Sequence, residues 1–196
     1  MTGALLSVWR WIDKFYYRLT RLQYVDESGQ NLFRVVVKPY RGETLITRDG
    51  VRLEKGDLYA KLHLHNFRIA QLLTERSKAD GHGGIVEELL VLRQIRRSFP
   101  ALARYLEGHP QGPEIHVLLG TTFLHRGAGR LGFDVQTLPG RLRPLLKSFF
   151  LKWILVCCHP QGWGRISEHR HHLVPKRVFI SKEQFNQQHM RGRDHG

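Results

Sequence analysis

The segment Gly56-Asp57-Leu58-Tyr59-Ala60-Lys61-Leu62-His63-Leu64-His65-Asn66 alternates strictly between apolar and polar positions. A period of two is the mark of a half-buried β-strand. Leu58, Ala60, Leu62 and Leu64 share one face, which belongs against a core. Tyr59, Lys61, His63 and His65 share the other, with alternate residues about 7 Å apart. The fold must therefore contain a sheet with one apolar side, whose other side carries an ammonium and two imidazoles in a row. That row is either a solvated sheet face or a site. As a site it suits an anion, because ammonium and imidazole N–H groups are charge-assisted donors that gain strength as histidine protonates. Asn66, the residue that follows, is counted with Lys61, His63 and His65 as a candidate binding residue. A metal would find two ligands in His63 and His65 and no clear third, and acid–base catalysis would call for a carboxylate or nucleophile partner. Asp57 falls on the leucine side. The expectation is a binding face, with no catalytic residue, metal set or cofactor.

Around this strand, residues Leu22–Val25, Leu32–Lys38, Glu43–Ile46 and Val51–Leu53 also read as strands, punctuated by Gly29, Gly42, Gly50 and Gly56. Asp49-Gly50 is a tight-turn pair. The short spacing predicts an antiparallel meander. Helices are expected later: over Phe67–Lys78, over Ile85–Phe99 with Pro100 ending or kinking it before Ala101–Glu107 continues, and over the apolar run Leu142–Cys158 as a central buried helix. Ile115–Thr121 has strand length, and a short helix follows through His125–Leu131. Ser181, with Gln184 three positions on, caps a short helix over Lys182–Gln188. Early strands and late helices predict an α+β fold: a curled, mostly antiparallel sheet with helices packed on one face. Residues 1–188 form one domain, 1–22 are an N-terminal amphipathic helix, and 189–196 are a disordered tail.

Charge limits the partners. The 196 residues hold 31 Lys+Arg against 17 Asp+Glu, net +14. Residues 139–196 hold 11 basic and 3 acidic side chains, net +8, and the remainder 20 and 14, net +6. Such a field draws nucleic acid, anionic lipid or an anionic polymer without choosing among them. Nucleic acid has net charge alone in its favour, for no nucleic-acid motif stands in the sequence. On residues 4–22, Leu5, Val8, Ile12, Phe15, Leu19 and Leu22 recur at helical spacing, and Arg10, Lys14, Arg18 and Arg21 line the far side. That helix lies on an anionic membrane, or it packs on its own domain with a solvated basic face. No signal peptide is expected, since Arg10 and Asp13 interrupt the early apolar run. No transmembrane segment is expected either, since Phe149 to Cys158 contains Lys152 and is too short. Adjacent Cys157 and Cys158 read as buried thiols of a reducing compartment. The expected location is the cytoplasm, with peripheral contact at the inner face of the membrane.

Two further groups stand out. Gly127-Ala128-Gly129-Arg130-Leu131-Gly132 matches G-x-G-x-x-G formally. It leads toward Pro139-Gly140 and not into a long helix, and no acidic residue follows at ribose distance, so a dinucleotide site is rejected. Backbone amides there, with His125, Arg126 and Arg130, remain candidates for an anion. His169-Arg170-His171-His172 has only Glu168 as an acidic neighbour and reads as a solvated basic loop.

Taken in order, these segments resemble the YkoP-like family. The resembling pieces are Gly56-Asp57 running into Lys61-Leu62-His63-Leu64-His65-Asn66, Leu119-Gly120-Thr121-Thr122 with His125-Arg126-Gly127, Leu131-Gly132-Phe133, His159-Pro160-Gln161-Gly162, and Val178-Phe179-Ile180-Ser181-Lys182. The family occurs as a small free-standing bacterial protein and as a domain attached to polysaccharide deacetylases. The resemblance thus implies a cell-envelope or glycan context and a polysaccharide-modifying enzyme as partner. It does not carry over deacetylase activity: Thr122-Phe123 runs into Leu124-His125 without paired aspartates, and no His-x-x-x-His pair occurs. The functional expectation is a non-catalytic accessory module with a basic surface for an anionic glycan, a lipid headgroup or a partner. Its rivals are an enzyme on a phosphorylated or acylated sugar with a histidine acid–base group, and a nucleic-acid binder.

Overall fold

A computed structural model describes residues 23–25, 31–65, 68–69, 85–122, 125–138 and 175–190, with the backbone alone for 23–24, 85–88, 125–126 and 190. The basic helix expected over residues 1–22 (Arg10, Lys14, Arg18, Arg21), the apolar run 142–158 with its cysteines, the 169–172 histidines, Asn66 and residues 191–196 lie outside these residues, as does nearly all of 67–78. His189 and Met190, expected in a disordered tail from 189, instead end a helix over Lys182–Met190, where the His189 ring packs on Phe99 and Phe185.

The strands are β1 (Gln23–Tyr24), β2 (Phe33–Pro39), β3 (Leu45–Ile46), β4 (Arg52–Leu53), β5 (Leu58–Leu64), β6 (Val117–Thr122), β7 (Asp134–Thr137) and β8 (Lys176–Ser181). The helices are α1 (Ile85–Gly108), α2 (His125–Arg130) and α3 (Lys182–Met190). The main sheet has six strands in the order β1-β2-β5-β6-β8-β7, and only β5 and β6 run parallel. This is the α+β arrangement expected.

The meander is not what forms between residues 33 and 64. β2 pairs directly with β5, Val35 opposite Leu62 and Val37 opposite Ala60, while β3 and β4 make a separate ribbon. The cause is a closed neck. Tyr40 donates its amide to the Asp57 carbonyl at 2.8 Å, and Gly56 donates to the Tyr40 carbonyl at 3.0 Å. The chain leaves and re-enters the sheet at one point, and the ribbon between becomes an excursion. Gly50 at its tip and Gly56 at its exit hold φ of +86° and +106°, where a Cβ would be strained.

The two faces of the sheet are covered differently. On one side Val35, Ala60, Leu62, Leu118, Val178 and Ile180 pack on Val91, Ile95, Phe99, Leu102 and Leu106 of α1 and Phe185 of α3. Phe99 is the hub, 5.7 Å from the Phe33 ring, 5.9 Å from Phe133 and 5.1 Å edge-on from Phe185. Pro100 does not end α1, which runs on to Gly108. On the other side the ribbon folds down, and Tyr40, Leu45 and Leu53 cover Tyr59, Val117, Leu119 and Phe179. Leu62 is 7% exposed, whereas Lys61 and His63 are half-buried, so the period of two in β5 assigns faces as expected.

The ribbon is also anchored at its tip. Ser181 Oγ donates to Asp49 Oδ2 at 2.5 Å and accepts the Gln184 amide at 3.0 Å, which is the expected cap of α3. Arg48 donates its amide to Asp134 Oδ2 at 2.8 Å, and its guanidinium lies 3.4 Å from the other carboxylate oxygen.

Candidate functional site on the ribbon side of the sheet

Sheet register decides which side chains share the ribbon side. Arg34 of β2 lies opposite His63 of β5. β5 and β6 pair in parallel from Tyr59 beside Val117 to Lys61 beside Leu119. Leu62 Cβ stands 3.7 Å from where a Cβ on Gly120 would be, in keeping with this register. Thr121 lies opposite Arg177 of β8, and Arg177 opposite Gln136 of β7. The ribbon side thus carries a polar pair, Arg34 with His63 on β2 and β5, and a polar row, Thr121, Arg177 and Gln136, across β6, β8 and β7, with neighbouring strands about 4.8 Å apart. The next row runs Val36, Lys61, Leu119, Phe179 and Asp134, apolar between a cation and a carboxylate.

Burial differs among these side chains. Gln136 is exposed, Arg177, Thr121 and His63 are half-buried, and Arg34 is 3% exposed. Arg34 Nη2 and His65 Nε2 are 2.6 Å apart. A guanidinium has no acceptor, so His65 Nε2 accepts and its proton sits on Nδ1. His65 therefore serves Arg34 with that nitrogen, and it is buried at 8% exposure while His63 and Lys61 stand further out. Arg177 Nη1 lies 3.4 Å from both the Tyr40 hydroxyl and Gln136 Oε1. The Tyr40 hydroxyl donates a hydrogen bond to the Glu43 carbonyl at 2.7 Å. Burial holds the Tyr40 phenol above its ordinary range, against the opposing pull of Arg177. Burial and the neighbouring Tyr40 push Tyr59 up to about 12. Both phenols are thus neutral at physiological pH and leave the arginine charge uncompensated by phenolate.

The other candidates lie elsewhere. α2, which begins at His125 and Arg126, belongs to the helix side: Ala128 is in that core and Gly127 packs on Leu92. The sheet separates it from the Lys61–His63 row. Arg130 is exposed at its end. The formal glycine motif has a packing explanation, since a Cβ on Gly127 would fall 2.3 Å from Leu92 Cδ2, and Gly132 holds φ +89°. Among the described residues no three His, Cys, Asp or Glu side chains come together as a metal set, and no helix is long and apolar enough to cross a membrane.

Sequence reasoning missed Arg34, Thr121, Arg177 and Gln136. The available signal was Arg34 inside Leu32-Phe33-Arg34-Val35 and Arg177 just before Val178-Phe179-Ile180, cations set into strands where neighbours are apolar.

A family model described as the YkoP domain matches residues 2–189. The uncharacterised protein YkoP of Bacillus subtilis (strain 168) is 32% identical over 137 residues, covering 70% of this chain and 72% of that protein. No solved structure matches the chain significantly. The chain belongs to the YkoP family.

Proposed function

We propose that this member of the YkoP family is a non-catalytic binding module of bacterial cell-envelope or polysaccharide metabolism. Its ribbon-side sheet face takes an anionic glycan, a lipid headgroup or an acidic surface of a polysaccharide-modifying enzyme. The observation that carries this reading is the polar set on one sheet face: Arg34 paired with His63, and Thr121, Arg177 and Gln136 in a row across three strands, with Lys61 on the same face. Lys61, His63, Thr121, Arg177 and Gln136 offer donors to an anion, buried Arg34 adds positive charge behind them, and the chain's net charge of +14 adds long-range attraction. The basic line Arg10, Lys14, Arg18 and Arg21 fits a cytoplasmic location with peripheral contact at an anionic membrane.

The test is calorimetry of the full chain against polygalacturonate, with neutral dextran as control, and sedimentation with phosphatidylglycerol or phosphatidylcholine vesicles. Binding to the anionic partners is expected, weakening as salt rises. Lys61→Ala, His63→Ala and Arg177→Gln should each reduce it. Equal binding to charged and neutral partners would overturn the reading. Turnover of an acetylated or phosphorylated sugar, lost in His63→Ala, would replace it with the enzymatic one.

A further inference from the structure

Beside the exposed end of the polar row, between the ribbon and the edge strand β7, lies an open recess of about 540 Å³. That is within the roughly 300–1,000 Å³ of small-molecule sites. Ile46, Phe133, Val135 and Phe179 supply apolar surface, while Arg48, Asp134 and Gln136 supply polar groups. Ile46 is 59% and Val135 39% exposed; with Leu89 they are the exposed large apolar side chains among the described residues, and two of these three frame this one recess.

From this we infer that the recess is a subsite for a single anionic sugar, a polyhydroxylated ring bearing a carboxylate or phosphate. The inference rests on the binding function proposed above and names the ligand class for one end of it. Three features select the class. The apolar walls offer contact to ring C–H groups, and removing Ile46 and Val135 from water favours an occupant with some apolar surface. The walls also carry acceptors. Asp134 accepts the Arg48 amide and forms an ion pair with its guanidinium, and a carboxylate has about four lone-pair sites, so it can still accept from hydroxyls. Gln136 adds a carbonyl and two N–H donors. Finally, the cations sit at both margins: Arg48 in the wall itself, and Arg177 one strand inward, touching Gln136 at 3.4 Å. A purely apolar ligand would leave the polar wall unpaired, and a bare anion would leave Ile46 and Val135 in water.

The ribbon's anchoring pre-forms the site. Asp49 on Ser181 and Arg48 on Asp134 hold Ile46 and Thr47 opposite β7 before any ligand arrives. Rigid walls reduce the ordering cost of binding.

The experiment is an amide-shift titration of the full chain with glucuronate, acetate and glucose. Glucuronate should bind about tenfold more tightly than either acetate or glucose. Ile46→Ser and Val135→Ser change exposed side chains and leave the fold intact by circular dichroism. Each should erase the advantage of glucuronate over acetate, whereas Arg177→Gln should erase its advantage over glucose. Glucuronate binding unchanged in both Ile46→Ser and Val135→Ser would overturn the recess. If glucuronate fails to bind while polygalacturonate still binds through Lys61, His63 and Arg177, the subsite falls and the binding module stands. If neither binds, both fall.

Discussion

Arg34 Nη2 donates to His65 Nε2 at 2.6 Å, across a distance of 31 residues in the chain. The bond joins the first long strand to the end of β5, and it turns one of the two histidines of the alternating segment into a support for a buried charge. Its removal should be felt in stability. His65→Leu keeps the volume and removes the acceptor, so it should lower the urea midpoint by the equivalent of about 1–3 kcal/mol, the cost of depriving a buried polar group of a partner. An unchanged midpoint would show that Arg34 is satisfied without His65.

Ser181 joins two elements through one hydroxyl, since it donates to Asp49 and accepts from the Gln184 amide. Ser181→Ala should cost about 1 kcal/mol through the lost cap. Asp49→Ala should cost less, and the two should be non-additive by about 0.5–1 kcal/mol in a double-mutant cycle. Burial works against the Asp49 charge, but hydrogen bonds from Ser181 and Thr47 outweigh it and hold the carboxyl below its ordinary value. The sign follows: this contribution is present above the unfolded carboxylate value of about 3.9 and is lost as pH falls through the lower folded value. Asp49→Ala should therefore remove part of the acid sensitivity below about pH 4 and none at pH 7.

His189 should make the fold sensitive at milder acidity. Its ring lies 4.4 Å from the centre of Phe99 and 4.9 Å from that of Phe185. Burial first, and the Arg96 charge second, hold the imidazole below its ordinary value against a hydrogen bond with the Leu131 backbone. A depressed folded value means that stability is fully present above about pH 6.5 and is lost as pH falls through the folded value. The melting temperature should fall between about pH 7.5 and pH 5, and His189→Phe should flatten that dependence. A parallel fall in the variant would place the titrating group elsewhere.

Leu62 points into the helix-side core and is 7% exposed, while Ile46 on the ribbon is 59% exposed. Leu62→Asp buries an unpaired charge and should cost several kcal/mol, enough to unfold a marginal domain. Ile46→Asp should cost less than about 0.5 kcal/mol. Denaturant curves check both assignments: a one-residue slip of β5 would expose Leu62 and make Leu62→Asp as mild as Ile46→Asp.

Much of β5 was legible because a half-buried strand writes its faces into its own alternation. The Ser181 cap was legible for a similar reason: its partner Gln184 lies three residues away. The polar row was not. Its members come from different strands, and nothing within Leu119-Gly120-Thr121 tells that Thr121 will stand opposite Arg177. The ribbon was misplaced for the same cause, since the pairing of Tyr40 with Asp57 closes a loop whose ends lie far apart in sequence. His65 was read as an equal of His63 because the residue that occupies it, Arg34, lies on another strand. Local periodicity thus fixes faces, while the composition of a face depends on register between segments.

The glycines of residues 127–132 allow a last test, one that separates packing from ligand binding. A Cβ on Gly127 would fall 2.3 Å from Leu92 Cδ2, and one on Gly132 would meet Gln188 from a backbone at φ +89°. Nothing lies within 4 Å of a Cβ on Gly129. Gly127→Ala should therefore destabilise by about 1–3 kcal/mol, as overpacking does. Gly132→Ala should destabilise as well, through a positive φ that alanine resists. Gly129→Ala lies within α2 and should be neutral or stabilise by up to about 1 kcal/mol, since alanine is the better helix former. Were the segment a phosphate-cradling loop, all three substitutions would act through lost ligand affinity with little order in stability. Thermal melts of the three variants without ligand distinguish the cases: the sequence Gly129→Ala above wild type, with Gly127→Ala and Gly132→Ala below it, is the pattern that packing requires.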